Sequence, residues 1–168
     1  MSEAIRAEGV WRPIEYAEAW AGFYSRFDFK PDFYEPALPA IRLPEVCVVI
    51  DLGPIFAHEG ARFAAAEAAI NAAALRSFVW LADEEELTAL DWQHTPYRYP
   101  PAKHALLELG WPVPVFPNGD YYIHTTSDLR WGTFGHPWQQ SLTIWGEELV
   151  HTLGTELSTW LPRHPQSP

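Results

Sequence analysis

The sequence predicts an α+β protein: a largely antiparallel sheet carrying an N-terminal helix, an alanine-rich central helix and a C-terminal helix. Three segments place apolar residues at helical spacing, at 14–27, 60–79 and from 147 onward. From Trp111 the apolar pattern changes to a period of two, and Asn118-Gly119 stands between two apolar runs as a hairpin signal. Strands that follow one another in this way are typical of an antiparallel sheet.

The first half of the chain predicts a helix, a strand and a second helix. Residues 14–27 place Ile14, Ala17, Trp20 (or Ala21), Tyr24 and Phe27 on one helical face. The segment 28–44 contains four prolines and predicts an extended connection, after which a strand covers 46–52. Gly53-Pro54 ends this strand, and the central helix of 60–79 presents Phe63, Ala66, Ile70, Ala73 and Phe78 to the core.

The middle of the chain predicts an acidic turn, a strand and a short helix. Residues 83–86 form the turn, with the carboxylates in solvent, and 87–94 form the strand. Pro100 and Pro101 begin the short helix and Gly110 ends it. Its leucines at 106, 107 and 109 are expected to pack inward.

The last third predicts strands and a closing helix. Segments 113–116 and 121–123 form the arms of the hairpin, and the prolines at 114 and 117 favour an edge position for the first arm. A further strand is expected at 129–134. The segment 141–145 is either a strand, which its alternation favours, or the start of a long helix. The last helix begins near Glu147, and its expected buried stripe is Leu149, Val150, Leu153, Leu157 and Trp160.

Composition limits the class of protein. The 168 residues, 48% of them hydrophobic, fit a single domain over 1–168, with frayed tails expected at about 1–12 and 162–168. The formal net charge of −11 argues against a nucleic-acid partner. No stretch has the roughly 20 apolar residues of a membrane span, and we expect no membrane partner. The N-terminus has no secretion signal and Cys47 lies in an apolar run, so a cytoplasmic location is expected.

Four strings in the chain resemble a known family. They are Leu90-Asp91-Trp92-Gln93-His94, residues 111–122 (WPVPVFPNGDYY), residues 132–138 (GTFGHPW) and Trp145-Gly146-Glu147-Glu148-Leu149. Together with the segment 20–29, they resemble DUF2716, a bacterial family of stand-alone proteins of unknown function. The resemblance implies the boundaries of the chain. It implies no activity and no catalytic residues.

Candidate catalytic residues are few. The sequence lacks a Walker loop, a dinucleotide-binding glycine pattern and a Gly-x-Ser-x-Gly elbow. Asp91 and His94 have the chemistry of an orienting carboxylate and a base, or Asp91 caps a turn and His94 bonds a neighbouring carbonyl. His136 follows two glycines, which suit a bulge that directs its imidazole into a site, or it packs on Trp138. The spacing of these residues requires no metal, and we expect no metal and no cofactor.

A second group of residues suits binding. Asp120, Tyr122 and His124 share one strand face, which is either the solvent side of the sheet, the favoured interpretation, or the floor of a ligand cleft. Trp131 and Trp138 suit either the core or a partner surface, whereas helical spacing assigns Trp20 and Trp160 to the core.

Two functions from different classes follow. The favoured one is a small acidic binding or inhibitor protein, immunity- or antitoxin-like, that recognises a cationic protein partner. The alternative is a hydrolase-like enzyme of small molecules that uses Asp91, His94 and His136 in an aromatic cleft. A deep pocket where these three side chains meet favours the enzyme, and their separation beside an acidic surface favours the binding protein.

Overall fold

The computed structural model describes residues 9–31 and 39–168. Antiparallel pairing joins its strands into one sheet. Within these residues the sheet has seven strands in the order β1-β4-β3-β5-β6-β7-β2, and every neighbouring pair is antiparallel. The predicted α+β class is therefore confirmed. The strands are β1 (Arg12–Pro13), β2 (Cys47–Asp51), β3 (Leu87–Asp91), β4 (Tyr97–Tyr99), β5 (Tyr122–Thr125), β6 (Gly132–His136) and β7 (Ser141–Trp145).

Helices cover the sheet. They are α1 (Tyr16–Phe27), α2 (Gly53–Phe56), α3 (Gly60–Ala82), α4 (Pro101–Leu106), α5 (Glu147–Leu149) and α6 (Thr155–Leu157), with a π-helical segment Val150–Gly154 between the last two. Helix α3 is the predicted central helix, and it begins at Gly60 as expected. Among the described residues, no helix is both long and apolar enough to cross a membrane.

The alternation of side chains along the strands divides the core into two layers. Leu90, Ile123 and Phe134 point to one side, where α1 packs with Trp20, Phe23 and Phe27, and we call this side the α1 face. Neighbouring residues of the same strands point to the other side, where α3 and the C-terminal helices pack, and we call it the α3 face. Both faces of the central strands are therefore buried.

The first helix buries a different stripe from the predicted one. Trp20 and Phe27 are buried as expected, but Phe23 takes the position between them and Tyr24 is 38% exposed. Spacings of three and four residues both fit a helical face, so the pattern alone does not choose between the adjacent aromatic residues. Phenylalanine enters the core, and the tyrosine hydroxyl stays within reach of water.

The predicted first arm of the hairpin, 113–116, is not a strand. The backbone amides of Val115 and Phe116 each donate a hydrogen bond of 2.9 Å to Oδ1 of Asn71 in α3. The neighbouring prolines 114 and 117 lack amide hydrogens, which further weakens strand pairing there. The segment is a buried loop on the α3 face, and β5 pairs instead with β3 and β6.

Two apolar residues that were expected to pack in the core are exposed. The C-terminal helix ends at Leu157, and Trp160, expected in the core, is 46% exposed in the turn that follows. Leu106, expected to pack inward, is 81% exposed because Pro101 and His104 take the buried positions of the short α4.

Residues 162–168, which were expected to fray, follow the edge of β2. Pro162 O accepts a hydrogen bond from Asp51 N, and His164 N donates to Val49 O. At the N-terminus, residues 1–8 of the predicted tail lie outside the described residues. Trp11 is buried in the core and Arg12 belongs to β1.

We expect Asn71→Ala to destabilise the protein by about 2–3 kcal/mol, because it leaves the two loop amides buried without their acceptor. Asn71 is 8% exposed. Urea unfolding would measure the loss, with the exposed Asn118→Ala as the control. A free energy of unfolding equal to that of the control variant would contradict this role of Asn71.

Candidate functional site

Two carboxylates and an imidazole meet where β3 ends and β5 begins. Asp91 is the last residue of β3, and it pairs with Tyr122, two residues after Asp120. The turn that follows β3 passes through Gln93 with a φ of +66° and returns His94 to Asp91. His94 Nδ1 lies 2.9 Å from Asp91 Oδ1 and 4.0 Å from Asp120 Oδ2. We call these three residues the carboxylate–histidine cluster.

The carboxylates of the cluster are largely covered, whereas the imidazole is open. Side-chain exposure is 17% for Asp91 and 18% for Asp120, against 65% for His94. Burial raises the pKa of both carboxyl groups. The hydrogen bond to the Asp91 carboxylate raises the pKa of His94. Among the described residues, no lysine or arginine forms an ion pair with either aspartate, and the basic group beside the two carboxyls is the His94 imidazole.

An open cleft of about 620 Å³ adjoins the cluster. Asp91 and His94 line it together with Tyr16, Tyr97 and Pro112. The Tyr16 hydroxyl accepts a hydrogen bond from the Gln93 backbone amide and so connects α1 to the turn that carries His94. The cluster is therefore accessible to small ions and polar groups.

The third predicted catalytic residue lies elsewhere. His136 is two strands from Asp91 in the sheet and points to the α1 face with Phe134, whereas Asp91 points to the other face. Its Nδ1 accepts a hydrogen bond from Gln139 N, and its ring contacts Tyr121. The structure thus joins Asp91 with His94 and separates both from His136.

The predicted binding face of β5 is covered by protein. Tyr122 is partly buried against the core of the α3 face, and His124 is fully buried there, so the favoured assignment of this face to solvent is wrong. The reason is that α3 and the loop 113–117 cover this side. His124 Nδ1 accepts a hydrogen bond from the Tyr99 hydroxyl, and its Nε2 donates to Pro114 O.

A second buried histidine, His104, lies near His124. His104 Nδ1 accepts a hydrogen bond from the indole Nε1 of Trp11, and the Trp11 ring stacks on Tyr99 with 4.0 Å between the centroids. Neither His104 nor Trp11 was among the residues predicted to form a site. Trp11 stands in a segment expected to fray, and His104 lies in a short helix where the leucines carried the apolar signal.

The two tryptophans proposed as partner anchors are not exposed. Trp131 is 1% exposed and stacks on Phe78, and Trp138 is partly buried against Tyr121. Among the described tryptophans, Trp80 near the end of α3 is the most exposed, at 80%, against 46% for Trp160.

Carboxylates from three segments of the chain lie around Arg130. Its guanidinium forms ion pairs with Glu85 and Asp128 at 2.5 and 3.2 Å. It also lines a surface depression together with Glu147 and Glu148 of α5. We call these four carboxylates the acidic patch. The single guanidinium at its centre leaves the patch with a net negative charge.

We expect the buried histidines to make stability fall in acid. Burial lowers the pKa to about 3 for His124 and about 4 for His104, so the unfolded chain binds protons that the folded chain does not. The two neutral histidines make their full contribution to the free energy of unfolding above about pH 6.5. This contribution is lost as the pH falls toward about 4, by up to about 1.4 kcal/mol per pH unit for each histidine. Urea unfolding at about pH 7 and about pH 5.5 would measure it.

His104→Gln, which retains an acceptor for Trp11, should reduce this pH dependence. Leu106→Ala, which removes an exposed side chain that does not titrate, should leave it unchanged. Equal pH dependence of the wild type and His104→Gln would contradict the assignment to His104.

Comparison with known proteins gives one relative and one family. The chain is 47% identical to "Uncharacterized protein YxiI" of Bacillus subtilis (strain 168) over 72 residues, which are 40% of this chain and 43% of that protein. The chain thus aligns with less than half of the length of this relative. No solved structure matches it. A family model described as "Protein of unknown function (DUF2716)" matches residues 12–150, and the chain belongs to this family.

Proposed function

We propose that the protein binds a cationic protein partner through the acidic patch. The observation that carries this proposal is that Glu85 and Asp128 pair with Arg130, and that Glu147 and Glu148 line the same surface depression as this arginine. A local excess of carboxylates attracts basic partners over distances near the Debye length and aligns them before contact. The formal net charge of −11 acts in the same direction.

Trp80 provides an exposed aromatic side chain five residues before Glu85 of the acidic patch. It is 80% exposed on α3, and the acidic turn that contains Asp83 and Glu84 follows directly after the helix. Exposed tryptophans at a surface rimmed by polar groups are frequent energetic centres of protein interfaces. Trp80 therefore replaces Trp131 and Trp138 in the proposal, since the fold buries much of both rings.

The finer form of the proposal is an inhibitor, immunity- or antitoxin-like, that covers a basic surface of its partner. The alternative, a hydrolase-like enzyme, requires Asp91, His94 and His136 to act on one substrate. Because His136 points to the opposite face of the sheet, this alternative receives no support from the geometry.

We expect the association rate with the partner to fall about tenfold between low salt and about 0.2 M salt, because mobile ions screen the acidic patch. The partner would first be captured by the full chain, and surface plasmon resonance would then measure both rates. Glu147→Gln/Glu148→Gln should slow association at low salt, whereas Glu59→Gln on the exposed surface should not. A partner with a net negative charge, or an association rate independent of salt, would overturn the proposal.

We expect Trp80→Ala to raise the dissociation rate at least tenfold and to leave the association rate nearly unchanged, because an aromatic anchor acts after encounter. Its 80% exposure predicts little change in thermal stability. Trp160→Ala, which removes another exposed indole, is the matched control. Equal dissociation rates for the two variants would place the interface away from Trp80.

A further inference from the structure

The carboxylate–histidine cluster has the composition of a metal site. His94 Nδ1 and one carboxylate oxygen each from Asp91 and Asp120 all lie within 4.8 Å of one another. We propose that these three side chains bind a divalent first-row transition metal ion such as Zn²⁺. The site shares no residue with the acidic patch, so this proposal and the proposed function are independent.

The distances suit one ion after small adjustments. Bonds of about 2.0–2.2 Å from a metal to nitrogen and oxygen place neighbouring ligand atoms roughly 3–3.5 Å apart. His94 Nδ1 is 2.9 Å from Asp91 Oδ1 and 4.0 Å from Asp120 Oδ2. One distance lies just below this range and the other just above it. The exposed His94 ring is free to adjust, whereas Asp120 is fixed by a hydrogen bond of 2.7 Å from Tyr121 N to its Oδ1.

Electrostatics favour a cation at this position. Asp91 and Asp120 are more than four-fifths covered, and among the described residues no lysine or arginine pairs with them. The hydrogen bond between His94 Nδ1 and Asp91 Oδ1 lies where a metal ion would replace the shared proton. A divalent ion would thereby neutralise two carboxylates that burial keeps away from water.

The ligand types select the class of metal. Imidazole nitrogen suits Zn²⁺, Ni²⁺ and Co²⁺, while Ca²⁺ and Mg²⁺ prefer sites made of oxygen ligands alone. Three protein ligands leave at least one coordination position open, as in zinc sites that take a water or a substrate group. Asp91 and His94 line the open cleft with Tyr16 and Tyr97, so that position is accessible from solvent.

Isothermal titration of the untagged full chain with Zn²⁺ tests the proposal. We expect one bound ion per chain and an affinity at least tenfold weaker in His94→Gln and in Asp120→Asn. His151→Gln, which removes an exposed histidine outside the cluster, is the matched control and should bind as the wild type does. His94 is largely exposed, so His94→Gln is expected to fold, and thermal melting would verify this.

Titration with Co²⁺ gives a second readout, since its visible absorption reports on coordination by the protein. We expect a spectrum that Zn²⁺ abolishes and that His94→Gln does not show. The absence of stoichiometric binding, or equal binding by the wild type and His94→Gln, would overturn the proposal. Competition by Ca²⁺ or Mg²⁺ at concentrations similar to Zn²⁺ would also overturn it.

Discussion

Close packing on both sides of β6 determines how the rest of the molecule is arranged. A Cβ atom at Gly132 would lie 2.6 Å from the indole ring of Trp145 on the α1 face. One at Gly135 would lie 2.9 Å from Cβ of Pro117 on the α3 face. Because these positions carry no side chain, the Trp145 indole, which packs on Phe23 and Phe27 of α1, and the loop 113–117 approach the same strand from opposite sides. The loop then leads directly to Asp120, so the position of the carboxylate–histidine cluster depends on this packing.

The parts of the fold that sequence analysis predicted are those with a repeated local pattern. The alternation in 141–145 and the long apolar stripe of α3 each repeat several times, and both elements formed where expected. The loop 113–117 has an alternating pattern too, but its amides find their acceptor in Asn71, more than 40 residues earlier. No local pattern contains that partner. Likewise, alternation places His124 on one face without showing that a helix covers that face.

The part of the candidate site that could be predicted is the part formed by residues close together in sequence. Asp91 and His94 are three residues apart, and a turn is enough to bring them together. Asp120 joins them through the pairing of β3 with β5, and this long-range contact has no signal in a single sequence. The carboxylates around Arg130 converge in the same way from three separate segments. The roles that sequence analysis gave to Asp91, His94, Asp120 and Tyr122 stay predictions.

The C-terminal segment has a consequence for association between chains. β2 is an edge strand of the sheet, and such an edge offers unpaired amides and carbonyls on which a foreign strand can assemble. Ser167 Oγ accepts from Val49 N, and His164 N donates to Val49 O, so these groups are already engaged. The prolines at 162, 165 and 168 remove three amide donors from the covering segment. The segment thus shields the edge without becoming a new template for aggregation.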